Sequence, residues 1–335
     1  MKSFCILAST IVSLLLPACS SFASDPDTTT PDSPVSLPPG PYVPGKSYLG
    51  RNSYVEYIAG NAPVILTAPH GGMLDPATIP DRTAASCGGS VTTVTDLNTA
   101  ELAREVQQSY FARFGRYPHV IITHLSRRKL DSNRTGREAA CGNPEASTAY
   151  AEWHGFIDVA KTSVLTSAGR GFYIDLHGHA HTVPRLELGY LLDASELNLS
   201  DAELDAAPAH EDRSSVRTIS RAATASFSEL IRGTSSLGTL YASDGFRAVP
   251  SAADPRPGSD EYFSGGDNTL RHGCSISAGP LGGTPGGSIC GVQLEANFAG
   301  VRDTPANRRR FGDVTAAVLE VYLRTHWDIE LRQSQ

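Results

Sequence analysis

Four short, continuous apolar runs constrain the fold of this chain most strongly: residues 63–67, 120–123, 171–176 and 292–294. Runs of this kind, without the alternation of a half-exposed strand, are typical of strands that are covered on both faces. Helical patterns fill the segments between them. This alternation predicts a single α/β domain, in which helices flank a central, mostly parallel mixed sheet. Ligands of such sheets bind beyond the C-terminal ends of the strands.

The predicted helices lie between and after these strands. One begins with a capping box at Asn98 and continues with apolar residues at every fourth position,. Two more are expected over residues 146–165 and 214–231. The last begins with Thr304 as its cap and Pro305 at the first helical position,.

The N-terminal sequence predicts export. The apolar run at residues 6–16 is shorter than the roughly 20 residues of a membrane-spanning helix and has the length of a signal-peptide core,. The Leu-Pro-Ala-Cys sequence ending at Cys19 resembles a lipoprotein cleavage box. Residues 1–18 are therefore expected to be removed and Cys19 to be lipidated. The alternative is cleavage after Ala23, which would leave a soluble periplasmic protein.

Residues 19–45 are rich in Pro, Asp, Thr and Ser, a composition that predicts a flexible tether,. Residues 46–335 are expected to form one catalytic domain, because no second linker or internal repeat follows. The expected location is the periplasmic side of the outer membrane, since Ser20 and Ser21 after the lipidated Cys resemble outer-membrane lipoproteins. The net charge of −7, without a dense basic stripe, excludes a nucleic-acid partner,. Membrane contact is expected only through the lipid.

Four cysteines remain in the folded part: Cys87, Cys141, Cys274 and Cys290. An even number in an exported chain predicts two disulfides. Three connectivities are possible. We expect Cys274 to pair with Cys290, because they flank a Gly-rich segment, and Cys87 to pair with Cys141. A zinc site is disfavoured because no C-x-x-C spacing occurs.

Histidines follow two of the apolar runs directly. His70 comes after the first run and precedes two glycines, which allow the backbone to turn sharply beside it,. His177, His179 and His181 follow the third run at a spacing that puts them on one face of a continued strand. His177 is the expected metal ligand, because it is nearest the strand end. His179 is expected to face the substrate or to support the ligands.

Two further polar clusters follow the other runs. Glu295 ends the fourth run, where a carboxylate is costly unless it is paired or functional. A metal ligand, a general base and a buried structural partner are the alternatives, and we favour the general base. The segment 125–134 carries several arginines, which can bind a carboxylate through two parallel hydrogen bonds,. An ordinary solvated loop, in which Asp131 pairs internally, is the alternative.

Together these motifs resemble the N-formylglutamate amidohydrolases, and the resemblance spans roughly residues 64–299. The motifs occur in the order of that family: His70 in Pro-His-Gly-Gly, Asp96 in Val-Thr-Asp, Asn133-Arg134 in Asp-Ser-Asn-Arg, His177 in Asp-Leu-His-Gly, residues 265–273 with Arg271 before His272, and Glu295 in Val-Gln-Leu-Glu.

The resemblance implies a fold like those of zinc carboxypeptidases and phosphorylase-hydrolases, with one divalent metal, zinc, held by His70, a carboxylate and His177. Asp96 is the implied middle ligand. Asp75 and Asp81 are nearer to His70 in sequence and stay open as alternatives, because Met73 stands where the carboxypeptidase His-x-x-Glu pattern has its Glu.

The resemblance also assigns residues to the substrate. Asn133 and Arg134 would bind its carboxylate, and Arg271 would contact it or stabilise the oxyanion. Zinc with three protein ligands keeps an open position for water. A nearby carboxylate such as Glu295 can take the proton of that water and pass it to the leaving amine. The sequence therefore predicts a metal-dependent amidohydrolase for N-acyl amino acids or peptides.

Two other functions remain as alternatives. A barrel-type metal amidohydrolase also uses His-x-His at a strand end. That motif normally ends the first strand, however, and here it comes long after His70. A non-catalytic lipoprotein that binds carboxylated ligands or metal would use the Arg and His side chains, but it would have no use for Glu295 beside the metal.

Overall fold

The computed structural model describes residues 36–277 and 286–332. These residues form one eight-stranded sheet with helices on both faces, so the predicted α/β class is confirmed. The strands are β1 (Ser47–Leu49), β2 (Val55–Ile58), β3 (Val64–Ala68), β4 (His119–Thr123), β5 (Gly171–His179), β6 (Leu186–Gly189), β7 (Ala248–Val249) and β8 (Ile289–Asn297).

The strand order is β1-β2-β4-β3-β5-β8-β6-β7. The four central strands, β4, β3, β5 and β8, are parallel to one another. They are the four apolar runs of the sequence. β2 joins this block antiparallel on one side and β6 does so on the other, which makes the sheet mixed, as predicted.

The helices cover the sheet and its C-terminal edge. They are α1 (Ala84–Cys87), α2 (Thr99–Phe114), α3 (Gly136–Ala140), α4 (Pro144–Ala168), α5 (Ala194–Leu197), α6 (Asp201–Ala206), α7 (Pro208–Arg213), α8 (Arg217–Ala222), α9 (Phe227–Arg232), α10 (Leu237–Ser243), α11 (Asp267–His272) and α12 (Pro305–Trp327). A short 3-10 turn, Arg51–Ser53, precedes β2, and an irregular turn, Phe298–Arg302, follows β8.

Each central strand divides its side chains between two cores. In β5, Phe172 and Ile174 belong to the core that includes α2 and α12, while Tyr173 belongs to the core that includes α4. Successive strand residues point to opposite faces. Asp175 and His177 therefore lie on the same face as Tyr173, beyond the end of the apolar core. The sheet in this way presents buried polar side chains in register across neighbouring strands.

Two predicted helical features are wrong. The helix expected over residues 214–231 is broken between α8 and α9, because Ser226 caps a new helix through its side chain, which accepts from the N–H of Glu229. Asn98 does precede α2, but it has a positive φ of 66° and makes no side-chain cap. Its side-chain amide instead donates to the carbonyl of Arg302 at 2.9 Å.

The expected signal peptide, the lipidated Cys19 and the tether as far as residue 35 lie outside the described residues. The last part of the expected tether lies against the domain. Leu37 packs beside the α4 core, and Tyr42 makes an edge contact with Tyr57. The folded contacts thus begin before residue 46. Within the described ranges, no helix is both long and apolar enough to span a membrane.

The two expected disulfides, Cys87–Cys141 and Cys274–Cys290, are both present. The first closes a segment that contains Asp96 and the loop after β4. Paired cysteines of this kind are typical of proteins that fold in an oxidising compartment, which agrees with the predicted export.

Candidate metal centre and active-site cleft

Three predicted ligands, His70, Asp96 and His177, meet at the C-terminal edge of the sheet. The Oδ2 atom of Asp96 lies 3.2 Å from His70 Nδ1 and 3.3 Å from His177 Nδ1. All three side chains are buried, and their ligand atoms lie within 4.8 Å of one another. The chain thus brings together one carboxylate and two imidazoles from three separate segments.

Close backbone packing determines where His70 lies. A Cβ atom on Gly71 would come within 2.6 Å of the backbone nitrogen of Ala100, and one on Gly72 within 2.3 Å of the backbone of His124. Neither glycine has a positive φ. The two glycines are therefore needed for close approach and not for a left-handed turn. The segment after β3 can in this way pass directly beside α2 and β4.

Backbone hydrogen bonds hold Asp96 between the two histidines. Its own N–H donates to the carbonyl of His70 at 3.0 Å. The N–H of Gly178 donates to Asp96 Oδ2 at 3.2 Å. The carboxylate is thereby tied both to the segment after β3 and to the end of β5.

Each histidine uses its second ring nitrogen to bind another buried carboxylate. His70 Nε2 lies 2.6 Å from Asp131 Oδ1, and His177 Nε2 lies 2.8 Å from Asp175 Oδ2. Histidines that ligate metals commonly donate their other ring N–H to a carboxylate in this way, which fixes the ring and its tautomer. Both Nδ1 atoms are therefore left to face Asp96.

Sequence reasoning missed this role of Asp131 and Asp175, although both stand in the quoted motifs. Asp175 precedes His177 by two positions in one strand, which places both on the same face. That spacing was the available signal. Asp131 has no such signal, because the loop conformation alone brings it to His70. Arg127 Nε donates to Asp131 at 3.0 Å, so the internal pairing considered for this loop is present.

The electrostatics of the cluster fit a bound cation. Burial alone would lower the pKa of His177, but the charge and hydrogen bond of Asp175, together with Asp96 and Glu295, raise it to about 10. Burial opposes ionisation of Asp96, yet His70 and His177 hold its pKa far below the usual range. The negative charges of Asp96, Asp175 and Glu295 thus favour a positive charge between them. Two imidazole nitrogens and one carboxylate oxygen form a donor set that suits zinc.

Glu295 lies beside this cluster. It is directly opposite His177 in the β5–β8 register, with its Oε1 atom 3.9 Å from His177 Nδ1. Gln293 Nε2 donates to the same oxygen at 2.8 Å. The other oxygen, Oε2, is buried and has no hydrogen-bond partner among the described residues. Burial raises the pKa of Glu295 to about 8, against the effect of His177 and with added repulsion from Asp96 and Glu187.

A cleft of about 140 Å³ opens next to Glu295. Asn133 and Arg134 both line it, as the carboxylate-binding prediction requires. Asn133 donates to Gln293 Oε1 at 3.3 Å and accepts from the N–H of Asn268 at 2.8 Å. The full lining consists of Asp96, Arg127, Asn133, Arg134, His177, Gly178, Phe263, Gly265, Gly266, Gln293 and Glu295.

Two predicted site residues lie elsewhere. Arg271 lies outside the cleft lining in the described part of the chain, close enough to Tyr150 of α4 for its charge to oppose the rise that burial causes in the pKa of that hydroxyl. His179 is buried and is not part of the cleft lining, and its Nε2 atom donates to the carbonyl of Arg185 at 2.7 Å. The structure therefore brings neither residue to the cleft, and their roles stay predictions.

The alternative middle ligands are also apart from the cluster. Asp75 and Asp81 are both about half exposed, and both pair with Lys129, at 3.3 and 2.7 Å. Of the three candidates for the middle ligand, only Asp96 lies with the histidines.

No protein-family model matches the chain, and no curated protein does. Solved structures with a similar fold include a gene product from Agrobacterium tumefaciens, at 13% identity over 81% of this chain and 95% of that chain, with a TM-score of 0.43. They also include an N-formylglutamate amidohydrolase from Ralstonia eutropha, at 12% identity over 81% of this chain and 96% of that chain, with a TM-score of 0.41. The latter bears the name of the family that the sequence motifs resemble. Similarity at this level does not show the activity of this chain, which has to be inferred from the side chains of its own site.

Proposed function

We propose that the protein is a metal-dependent hydrolase that cleaves an amide bond in a small substrate with a free carboxylate, either an N-acyl amino acid or a peptide. One observation carries the proposal. The Nδ1 atoms of His70 and His177 converge on Asp96, the opposite ring nitrogens are held by buried carboxylates, and the unpartnered oxygen of Glu295 lies beside them. This combination offers metal ligands and a general base in one cleft.

His70, Asp96 and His177 are the proposed ligands of one divalent ion, zinc. When bound, this ion would polarise the scissile carbonyl and activate the attacking water. Asp131 and Asp175 orient the two imidazoles from behind. Their negative charge also makes the imidazoles better electron donors.

Glu295 is the proposed general base. Gln293 holds one of its oxygens, so the free Oε2 atom can accept a proton from the attacking water,. The resulting carboxylic acid can then donate that proton to the leaving amine. Burial and repulsion from Asp96 favour the protonated form that the second step needs, and the positive charge of a bound cation would favour the carboxylate that the first step needs.

Arg134 and Asn133 are the proposed carboxylate-binding pair. Arg134 lines the cleft, and one of its nitrogens, Nη1, donates to the carbonyl of Asn133 at 2.7 Å. The cleft volume of about 140 Å³ is below the roughly 300–1,000 Å³ of pockets that enclose drug-sized ligands. A small acyl amino acid or the end of a peptide suits it better than a large substrate.

We further propose that the protein works outside the cytoplasm, attached to the periplasmic side of the outer membrane through lipidated Cys19. The two disulfides support export,. The expected substrates there are acylated amino acids, peptides or cell-wall fragments. Neither a nucleic acid nor a protein partner is part of the proposal.

The test combines zinc analysis with a panel of N-acyl amino acids and peptides. Wild type should bind zinc and hydrolyse members of the panel. His177→Ala should lose both the metal of this site and the activity. Glu295→Gln should keep the metal and lose about 10²–10⁴-fold in kcat, the usual contribution of a general base. Glu56→Gln is the matched control, because Glu56 is also a buried glutamate but pairs with Arg104, away from the cleft.

Two outcomes would contradict the proposal. Full metal content and activity in His177→Ala would remove the assigned ligand set. A wild-type protein that binds carboxylated ligands but hydrolyses none, with Glu295→Gln unchanged in binding, would favour the non-catalytic lipoprotein.

A further inference from the structure

A second cluster of metal-binding side chains lies next to the cleft. His179, His181 and Glu187 present ligand atoms that lie within 4.8 Å of one another. His181 Nδ1 is 2.8 Å from Glu187 Oε1, and His179 Nδ1 is 3.9 Å from the same oxygen. Two imidazoles therefore face one carboxylate oxygen, as in the first cluster.

Neighbouring backbone groups orient His179 and Glu187. The Nε2 atom of His179 donates to the carbonyl of Arg185, which leaves Nδ1 without a proton, 3.9 Å from Glu187 Oε1. The second oxygen of Glu187, Oε2, accepts from the N–H of Phe263 at 2.8 Å. Backbone partners of this kind fix metal ligands in the same way as carboxylates do. The backbone N–H of His181 donates to His179 Nδ1 at 3.1 Å, and a bound cation would compete with that hydrogen bond for the same lone pair.

A simple ion pair does not explain the third side chain. Glu187 is fully buried, and a protonated His181 would be enough to neutralise it. The imidazole of His179 is not needed for such a pair, although its two nitrogens also contact the carbonyl of Arg185 and the backbone N–H of His181. As a ligand, however, it completes the set of three protein donors that zinc commonly takes when it keeps an open position. His181 is 14% exposed, which gives an ion access from solvent.

The sheet register separates this cluster from the first. Glu187 pairs with Glu295, and Glu295 pairs with His177 on the next strand. With about 4.8 Å between neighbouring strands, the backbones of Glu187 and His177 are roughly 10 Å apart. Bridged metal pairs need about 3.5–4 Å between the ions. Since the two clusters also share no ligand, the second would hold its own ion, with Glu295 on the strand between them.

We propose that His179, His181 and Glu187 form a second divalent-cation site, which takes zinc or a metal of similar ligand preference such as cobalt. The site is tied to the cleft wall, because Phe263 both stacks on His181 and lines the cleft. An ion held there would fix that wall. The proposal depends on these three side chains and not on the hydrolase activity.

Metal counting tests it. The full-length protein is stripped with a chelator, reloaded with zinc, dialysed and analysed for zinc per chain. Wild type should hold two zinc ions. Glu187→Gln, which keeps an oxygen for the Phe263 N–H, should hold one, and so should His181→Ala. His177→Ala should also hold one, and His177→Ala combined with His181→Ala should hold none.

His210→Ala is the matched control. His210 makes a similar contact with a carboxylate, 2.7 Å from Glu196, but the described residues place no third ligand with them. This variant should keep two zinc ions. Circular dichroism of each variant shows whether the fold is retained. One zinc in wild type, unchanged in His181→Ala and Glu187→Gln but lost in His177→Ala, would overturn the second site and leave the first standing.

Discussion

The aspartates behind the two histidines explain how these rings can act as metal ligands. Asp175 contacts His177 Nε2 and also accepts from the hydroxyl of Thr67 at 2.5 Å. Asp131 contacts His70 Nε2 and accepts from the backbone N–H of Asn133 at 3.1 Å. Hydrogen bonds thus hold each carboxylate in place, and the carboxylate in turn holds its imidazole ring. The proposed metal site would therefore depend on side chains that are not themselves ligands.

This dependence can be measured at Asp175. Asp175→Asn should weaken zinc binding about 10- to 100-fold, because an amide neither carries the negative charge nor orients the imidazole as well. Competition with a chromophoric chelator gives the affinity of the first site when His181→Ala serves as the background. Asp205→Asn is the control, since Asp205 bonds only to Ser228 among the described contacts. Equal zinc affinity in Asp175→Asn and its parent would contradict the orienting role.

Substitution of Arg134 tests whether the protein recognises a carboxylate on its substrate. Losing a charge-assisted hydrogen bond costs about 1.5–3 kcal/mol, or roughly 10- to 150-fold in kcat/KM. Arg134→Ala should therefore impair cleavage of acids far more than of the matching amides, with metal content unchanged. Arg134→Lys should recover little, because a point charge cannot replace the planar guanidinium.

The control for this prediction comes from the same loop. Arg128 is exposed and pairs with Asp75 at 3.3 Å, so Arg128→Ala should affect neither form of the substrate. If Arg134 only stabilises the loop, Arg134→Ala would lower stability and impair acids and amides equally. In the structure Arg127, and not Arg134, forms the side-chain hydrogen bond with Asp131.

At the scale of single residues, the sequence indicated those side chains that directly follow apolar strands. His70, His177 and Glu295 could be selected because a polar group at the end of a buried strand is costly without a role. Asp131 and Arg271 could not be placed in this way. Their positions depend on loop and helix packing, which brings the first to His70 and directs the second to Tyr150.

At the scale of elements, the continuous apolar strands were predictable and the short helices were not. β3, β4, β5 and β8 are buried on both faces, so composition alone distinguishes them,. The segment between β6 and β8 contains short helices whose ends are decided by caps such as Ser226 and by packing against α12. A helical periodicity over residues 214–231 could not show that break.

His119 in β4 allows a test of how the stability of the fold depends on pH. His119 begins this strand and is buried, and its Nδ1 atom accepts from the hydroxyl of Tyr57 at 2.8 Å and from the N–H of Gly60 at 3.2 Å. Protonation at Nδ1 would break the hydrogen bond from Gly60 and would require the Tyr57 hydroxyl to accept instead of donate. Burial lowers the pKa of His119 to about 4, below the value of about 6.5 in an unfolded chain.

The direction of the pH effect on stability follows from these two pKa values. The unfolded chain binds the proton first, so the contribution of His119 to stability is complete above pH 6.5 and is lost as the pH falls towards 4. The loss should be at most about 3 kcal/mol. Denaturant titrations at pH 7 and pH 4.5 should therefore show a smaller difference in unfolding free energy for His119→Asn than for wild type. Equal differences in the two proteins would contradict this account.

At the scale of the whole molecule, the mixed sheet and the meeting of its polar strand ends followed from the order of strands and helices. Parallel strands place their C-terminal ends at one edge, so motifs far apart in sequence had to meet there. The onset of the folded part did not follow in the same way. Leu37 and Tyr42 pack on the α4 core although they stand among prolines, because only a few apolar side chains are needed for that contact.

The location of the molecule is tested at Cys19. Lipid attachment needs a cysteine directly after the cleavage site, so Cys19→Ser should release the protein into the soluble periplasmic fraction, with cleavage after Ala23 taking over. Cys5→Ser is the matched control, because Cys5 lies in the part expected to be removed and should not change the membrane attachment. Cell fractionation and mass spectrometry of the mature N-terminus provide the measurement. A wild-type protein that is already soluble and begins at Ser24 would contradict the anchor, while leaving export and the metal centre unaffected.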